Sequence, residues 1–165
     1  IKYTVGKNAY GYSGFGDLFV FVFFGFVSVI GSNFLFTHFI DWKLLLPAIA
    51  IGLLSVAVLN LNNMRDIEND RVAGKNTLVV KLGALNAKKY HYVLIVSSVT
   101  IMFVFSLLTK TSILPIVVIS VALIKHILVV KKANQYEDFD PELKKVALST
   151  FALSILFWLT LVFLS

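Results

Sequence analysis

Five long apolar runs constrain this chain more than anything else in it. They cover residues 18–36, 44–61, 90–108, 113–130 and 146–164, each near the roughly 20 residues that a helix needs to cross a bilayer. Backbone groups in lipid must be satisfied within the segment, so the runs are expected to be helices. None alternates with the period of two that a membrane barrel requires. The predicted fold is therefore all-α: a polytopic transmembrane helical bundle forming one domain over 1–165. The fourth run is the least regular, because Lys125 and His126 interrupt it and Pro115 sits at its start. Proline is tolerated in a first turn, where its missing N–H has no helical partner, and a lysine can snorkel toward an interface.

Charge sets the expected orientation. Of the 15 Lys and Arg residues, only Lys43 and Lys110 fall in the short connections, 37–43 and 109–112. The rest lie in the N-terminal stretch and around the long connections, 62–89 and 131–145. The positive-inside rule then places the N-terminus and both long loops in the cytoplasm and the C-terminus outside. Trp42 and Trp158 lie near the outer ends of spans, as interfacial anchors do. The net charge of +6 does not point to nucleic acid, because most of the fifteen Phe are inside apolar runs rather than interleaved with basic residues. There are no cysteines, so thiolate metal sites and disulfides are excluded. The chain opens on Ile1 with a polar, Gly- and Tyr-rich stretch unlike a signal peptide, and is expected to be the C-terminal piece of something longer.

The second run ends in a dense polar segment containing Asn60, Asn62, Asn63, Arg65, Asp66, Glu68, Asn69, Asp70 and Arg71. If the helix continues, Asn62, Asp66 and Asp70 share one face at steps of roughly 6 Å. Two carboxylates so close oppose each other's ionisation unless a cation joins them. Oxygen-only ligands favour Mg²⁺ or Mn²⁺. Magnesium takes one or two carboxylates and leaves its other positions to water and phosphate. Arg65, Arg71, Lys75 and Lys81 flank the stripe as candidate phosphate contacts. The plain alternative is a solvated face with ion pairs. The in-phase Asn, the direct continuation from a span and the basic loop favour the metal–diphosphate reading. Glu68 falls off the stripe and is expected to face solvent or an ion pair.

Other features are weaker. His38, His91 and His126 show no metal-ligand spacing and read as core or interfacial histidines. Asp140-Pro141 reads as an N-cap followed by proline at the first helical position. Tyr3, Tyr10 and Tyr12 belong either to a turn-rich connector or to the wall of an aromatic-substrate pocket.

The run Asn62-Asn63-Met64-Arg65-Asp66, with Asp70-Arg71, Gly74-Lys75-Asn76-Thr77-Leu78 and Leu82-Gly83, resembles the second aspartate-rich motif of the UbiA superfamily of intramembrane prenyltransferases. It is most similar to the branch acting on 1,4-dihydroxy-2-naphthoate in menaquinone synthesis. Tyr10-Gly11-Tyr12 with Gly14 and Gly16-Asp17-Leu18, and Pro141-Glu142-Leu143-Lys144-Lys145 with Ala147-Leu148, resemble that branch's other loops. The resemblance implies a nine-helix bundle, of which five spans are here, and a partner N-terminal half carrying a first aspartate-rich motif. It implies transfer from a polyprenyl diphosphate to the naphthoate with loss of CO₂ and diphosphate, giving demethylmenaquinone. Asp66 and Asp70, supported by Asn62, would hold Mg²⁺. Asn63, Arg65, Arg71 and Lys75 would contact the diphosphate, and Tyr10 and Tyr12 the substrate. Other branches of the superfamily, acting on 4-hydroxybenzoate, haem or a chlorophyll precursor, are rivals, as is a non-catalytic scaffold. Transport is disfavoured, because no charge lies near the centre of a span.

Overall fold

The computed structural model describes residues 14–163. Tyr3, Tyr10 and Tyr12 therefore lie outside the described residues. No strand occurs among those described, and five helices are long and apolar enough to cross a membrane. We number the helices α1 (Gly16–Thr37), α2 (Leu45–Arg65), α3 (Ile67–Val72), α4 (Leu78–Thr109), α5 (Leu114–Lys132) and α6 (Phe139–Phe163). All but the short α3 belong to the apolar set. The chain is a multi-pass helical membrane protein.

The central element is α2, which packs against α1, α4 and α6, while α5 packs on α4 and α6. Its small residues permit this. Ala48, Ala50, Gly52 and Ala57 are all buried, and small residues let helix backbones approach closely where there is no hydrophobic drive between them. At Gly52 the approach is close enough that a Cβ would lie 2.8 Å from the Phe21 ring. On α1, a Cβ at Gly25 would lie 2.6 Å from the Ala48 carbonyl oxygen. The two glycines thus form one seam, and Gly25 is the only buried residue in the middle of α1. That middle, Phe21–Gly31, is wound as a π-helix, a form that usually appears as a single turn inside an α-helix. On the other side of α2, the Ser98 hydroxyl of α4 donates to the Ala50 carbonyl at 2.9 Å.

Two glycines shape the segment that follows α2. Gly74 has φ +69° and ends α3. The Lys75 N–H bonds the Asp70 carbonyl at 2.9 Å and the Gly74 N–H bonds the Arg71 carbonyl at 3.1 Å, which together make a Schellman motif. Gly83 has φ +75° and ψ +162° and breaks α4 one turn and a half after its start. Thr77 caps that start, its hydroxyl accepting from the Val80 N–H. The helix thus begins at Leu78, well ahead of the apolar run at 90.

At the other long connection the capping differs from expectation. Asp140 is not an N-cap: α6 begins at Phe139 and Asp140 is already in its first turn. A capping box precedes the helix instead: Gln135 is the N-cap of a 3₁₀ turn over Tyr136–Asp138, and the Asp138 carboxylate accepts from the Asn134 and Gln135 N–H groups, both at 3.1 Å. That turn runs directly into α6 at Phe139, two residues before Pro141.

Candidate active site

The polar end of α2 forms a hydrogen-bonded cluster around Arg65. The helix breaks at Asp66, where φ is −96° and ψ is 9°. The break does not disturb the phase of the stripe. The Asp66 N–H still bonds the Asn62 carbonyl at 3.0 Å, and the Asp70 N–H the Asp66 carbonyl at 2.8 Å. Arg65 turns back over the stripe. Its Nε and Nη2 donate to the two Asp66 carboxylate oxygens, each at 2.9 Å, and Nη2 also donates to Asn62 Oδ1 at 2.9 Å. This is the paired, forked contact that a guanidinium makes with carboxylates and phosphates. A third nitrogen, Nη1, donates to Asp140 Oδ1 at 2.6 Å. The first turn of α6 is thereby tied to the end of α2.

Asp70 is held differently. It is buried, and its Oδ1 accepts from Lys75 Nζ at 2.7 Å. The Schellman turn at Gly74 causes this contact, because it folds Lys75 back over the last turn of α3. The same ammonium lies near enough to Asp66 to stabilise its charge. The Arg65 hydrogen bonds hold the Asp66 carboxyl below the ordinary carboxylate range, and the Arg65 and Lys75 charges add to this against the opposing effect of burial. Asn62, Arg65, Asp66, Asp70 and Lys75 are thus brought together.

Two sequence-predicted residues stand apart. Arg71 donates to both Glu68 carboxylate oxygens at 3.0 and 3.1 Å, on an exposed face, and Tyr136 donates to the same Glu68 at 3.2 Å. Asn63 is buried. Asn60, one turn deeper, is completely buried, and neither polar atom of its side chain finds a partner. Among the described residues no three of His, Cys, Asp and Glu cluster as a complete metal site. The donor set of Asn62, Asp66 and Asp70 fits a magnesium ion that draws its remaining ligands from water and phosphate.

Below the cluster lies an apolar groove of about 430 Å³. Val20 and Phe24 of α1, Val58 and Leu59 of α2, and Leu143 of α6 line it, Ser55 and Thr150 add hydroxyls, and Asn62 is the one residue of the Arg65 cluster in its wall.

Sequence reasoning missed two partners of long range. Arg65 and Asp140 are 75 residues apart, and His91 and His126 are 35 apart. The histidines nevertheless meet, Nε2 to Nε2 at 2.7 Å, in the buried interior. No local spacing signals such a contact. The one cue was that each is a polar residue inside or beside an apolar run, which requires a partner.

The sequence pattern of the UbiA prenyltransferase family matches residues 2–148. Among curated proteins, the 1,4-dihydroxy-2-naphthoate octaprenyltransferase of Haemophilus influenzae is 43% identical over 163 residues, which is 98% of this chain and 53% of that protein. The Escherichia coli K12 protein of the same name is 53% identical over 112 residues, 68% of this chain and 36% of that one. The Mycobacterium tuberculosis protein of that name is 41% identical over 121 residues, 73% of this chain and 41% of its own length. The chain thus spans between about a third and a half of the length of these relatives. No solved structure matches.

Proposed function

Because this chain belongs to the UbiA prenyltransferase family, we propose that it forms part of an enzyme that moves a polyprenyl group from its diphosphate onto 1,4-dihydroxy-2-naphthoate. The observation that supports this best is the Arg65-centred cluster of Asn62, Asp66, Asp70 and Lys75. It offers cation-binding oxygens and phosphate-binding nitrogens beside a largely apolar groove.

In this reading the prenyl chain lies along Val20, Phe24, Val58 and Leu59, and its diphosphate rests at Arg65 and Lys75. Asp66, Asp70 and Asn62 would hold Mg²⁺, which when bound would supply part of the neutralisation of charge on the departing diphosphate. Arg65 and Lys75 supply the rest of that neutralisation. The C–O bond to diphosphate breaks and its electron pair leaves with the phosphate oxygen. The ring carbon bearing the carboxylate forms the new C–C bond to the prenyl group. The bond to the carboxylate then breaks, CO₂ departs, and its electron pair restores the aromatic ring. The groove's apolar walls keep water from the reactive allylic carbon. The cluster faces the cytoplasm of the bacterial inner membrane, where both substrates are met. Tyr10 and Tyr12 are assigned to the aromatic acceptor, and Asn63 and Arg71 to the margin of the diphosphate site.

The test uses the full-length protein in phospholipid vesicles, with octaprenyl diphosphate and the naphthoate. Turnover is expected to require Mg²⁺ and to stop on chelation. Asp66→Ala and Asp70→Ala are each expected to lower kcat/KM about 100-fold or more. Wild-type turnover in either variant would sink the assignment of the site, and turnover with 4-hydroxybenzoate in place of the naphthoate would redirect the acceptor.

A further inference from the structure

His91, His126 and Glu142 form a continuous buried chain across three helices. His91 of α4 meets His126 of α5 through their Nε2 atoms at 2.7 Å, and His126 Nδ1 meets Glu142 Oε2 of α6 at 2.6 Å. The three are 0%, 1% and 1% exposed. Lys145, one turn further along α6 and half exposed, donates to the other Glu142 oxygen. An ionised carboxylate only accepts, so His126 Nδ1–H donates to Glu142. With His126 neutral, its Nε2 accepts from His91 Nε2–H. His91 Nδ1 is then left as an acceptor, and it has no partner.

Interhelical hydrogen bonds hold helices together in lipid. This chain also provides direction. Glu142 follows Asp140 by two residues at the start of α6. At about 100° per residue the two carboxylates point to nearly opposite sides of the helix. Glu142 is gripped from the α5 side by His126, and Asp140 is engaged from the α2 side by Arg65. The first turn of α6 is therefore held between the buried chain and the Arg65 cluster.

We propose that His126 and Glu142 are positioning residues for the diphosphate site, acting by fixing the first turn of α6 so that Asp140 orients Arg65 over Asp66. This rests on the reading of the Arg65 cluster as that site.

The experiment is a comparison of variants in the full-length protein in phospholipid vesicles, assayed with Mg²⁺, octaprenyl diphosphate and the naphthoate. In His126→Asn the amide nitrogen takes roughly the place of Nδ1 and still donates to Glu142. In His126→Gln it takes roughly the place of Nε2, and the bond to Glu142 is lost. His126→Gln is expected to raise KM for the prenyl diphosphate about tenfold, in the range typical of lost supporting partners, with KM for the naphthoate unchanged. His126→Asn is expected to stay within about twofold of wild type by the same measure. Asp140→Asn should raise the same KM, and the double variant with His126→Gln should be no worse than Asp140→Asn alone. Effects that multiply, or that fall equally on both substrates, would overturn the proposal. If His126→Gln does not fold, Glu142→Met, which has no oxygen to accept from His126, takes its place with the same expected outcome, and failure of both to fold would assign the chain to scaffolding instead. An inactive Asp66→Ala beside an unaltered donor KM in the His126 variants defeats this inference alone. An active Asp66→Ala defeats it together with the site.

Discussion

Arg65 is the residue on which the candidate site turns, and its chemistry is that of a fork rather than a charge. Three of its nitrogens are engaged, by Asp66, Asn62 and Asp140. Lysine carries the charge but not the planar spread of donors. Arg65→Lys is accordingly expected to raise KM for the prenyl diphosphate about tenfold, read from initial rates, the equivalent of one lost charge-assisted hydrogen bond. Asp66 carries a pH signature. Its folded pKa lies below the ordinary value of 3.8, so its pairing contributes stability that is fully present above that value and is lost as pH falls through the depressed one. Thermal unfolding followed from pH 7 down to 3 should show no loss from this pair until below about pH 4, and Asp66→Asn should remove that low-pH limb. The stripe of Asn62, Asp66 and Asp70 was legible because four-residue spacing is a property of the chain itself. Asp140 as a partner of Arg65 was not, because that contact depends on how α6 docks. The same local logic misplaced the cap of α6: Asp-Pro is a good start signal, but the Gln135–Asp138 capping box opens a 3₁₀ turn that runs into α6 at Phe139.

At the scale of elements, glycines carry the argument. Gly74 lets α3 end in a left-handed turn that returns Lys75 to Asp70. A side chain there costs about 1–2 kcal/mol in that conformation. Gly74→Ala should therefore lower thermal stability by about that amount and weaken donor binding together with it, since Lys75 is displaced. The seam of Gly25 and Gly52 predicts a different failure. Leucine at Gly25 would meet the Ala48 backbone rather than a yielding side chain. Gly25→Leu is expected to cost about 1–3 kcal/mol as an overpacked contact, measured by unfolding in detergent, and to lower activity by parting α1 from the groove. Nothing in the sequence announces the seam. Glycines in apolar runs are common in membrane helices, and only the docked pair of helices shows which ones touch. The π-helical stretch of α1 is equally silent in the sequence.

For the whole molecule, the five long helices were legible from apolar length alone, because lipid imposes a thickness that sequence must match. Which helices touch was not legible. The meeting of His91 with His126, and the bond from the Tyr90 hydroxyl to Asp17 at 3.1 Å, link segments far apart in the chain. The distribution of Lys and Arg makes orientation testable. The chain has no native cysteine, so single cysteines introduced into it report cleanly within it. An impermeant maleimide on intact cells should label Lys110→Cys and leave Asn134→Cys unlabelled until the membrane is opened. The reverse pattern would invert the proposed topology.

The contact of Gly25 with Gly52 has a mechanical meaning. Gly25 approaches the backbone of Ala48 and Gly52 with no side chain of its own between, which fixes the spacing of the two helices at that level. Asn62 lies ten residues further along α2, about 15 Å away at 1.5 Å per residue. A tilt of about 5° at that contact would carry Asn62 about 1.3 Å by the same geometry, enough to matter where a 1 Å misplacement can cost about a hundredfold in rate. A side chain inserted at either glycine would therefore be felt at the far end of the helix, where the residues that would grip the diphosphate lie.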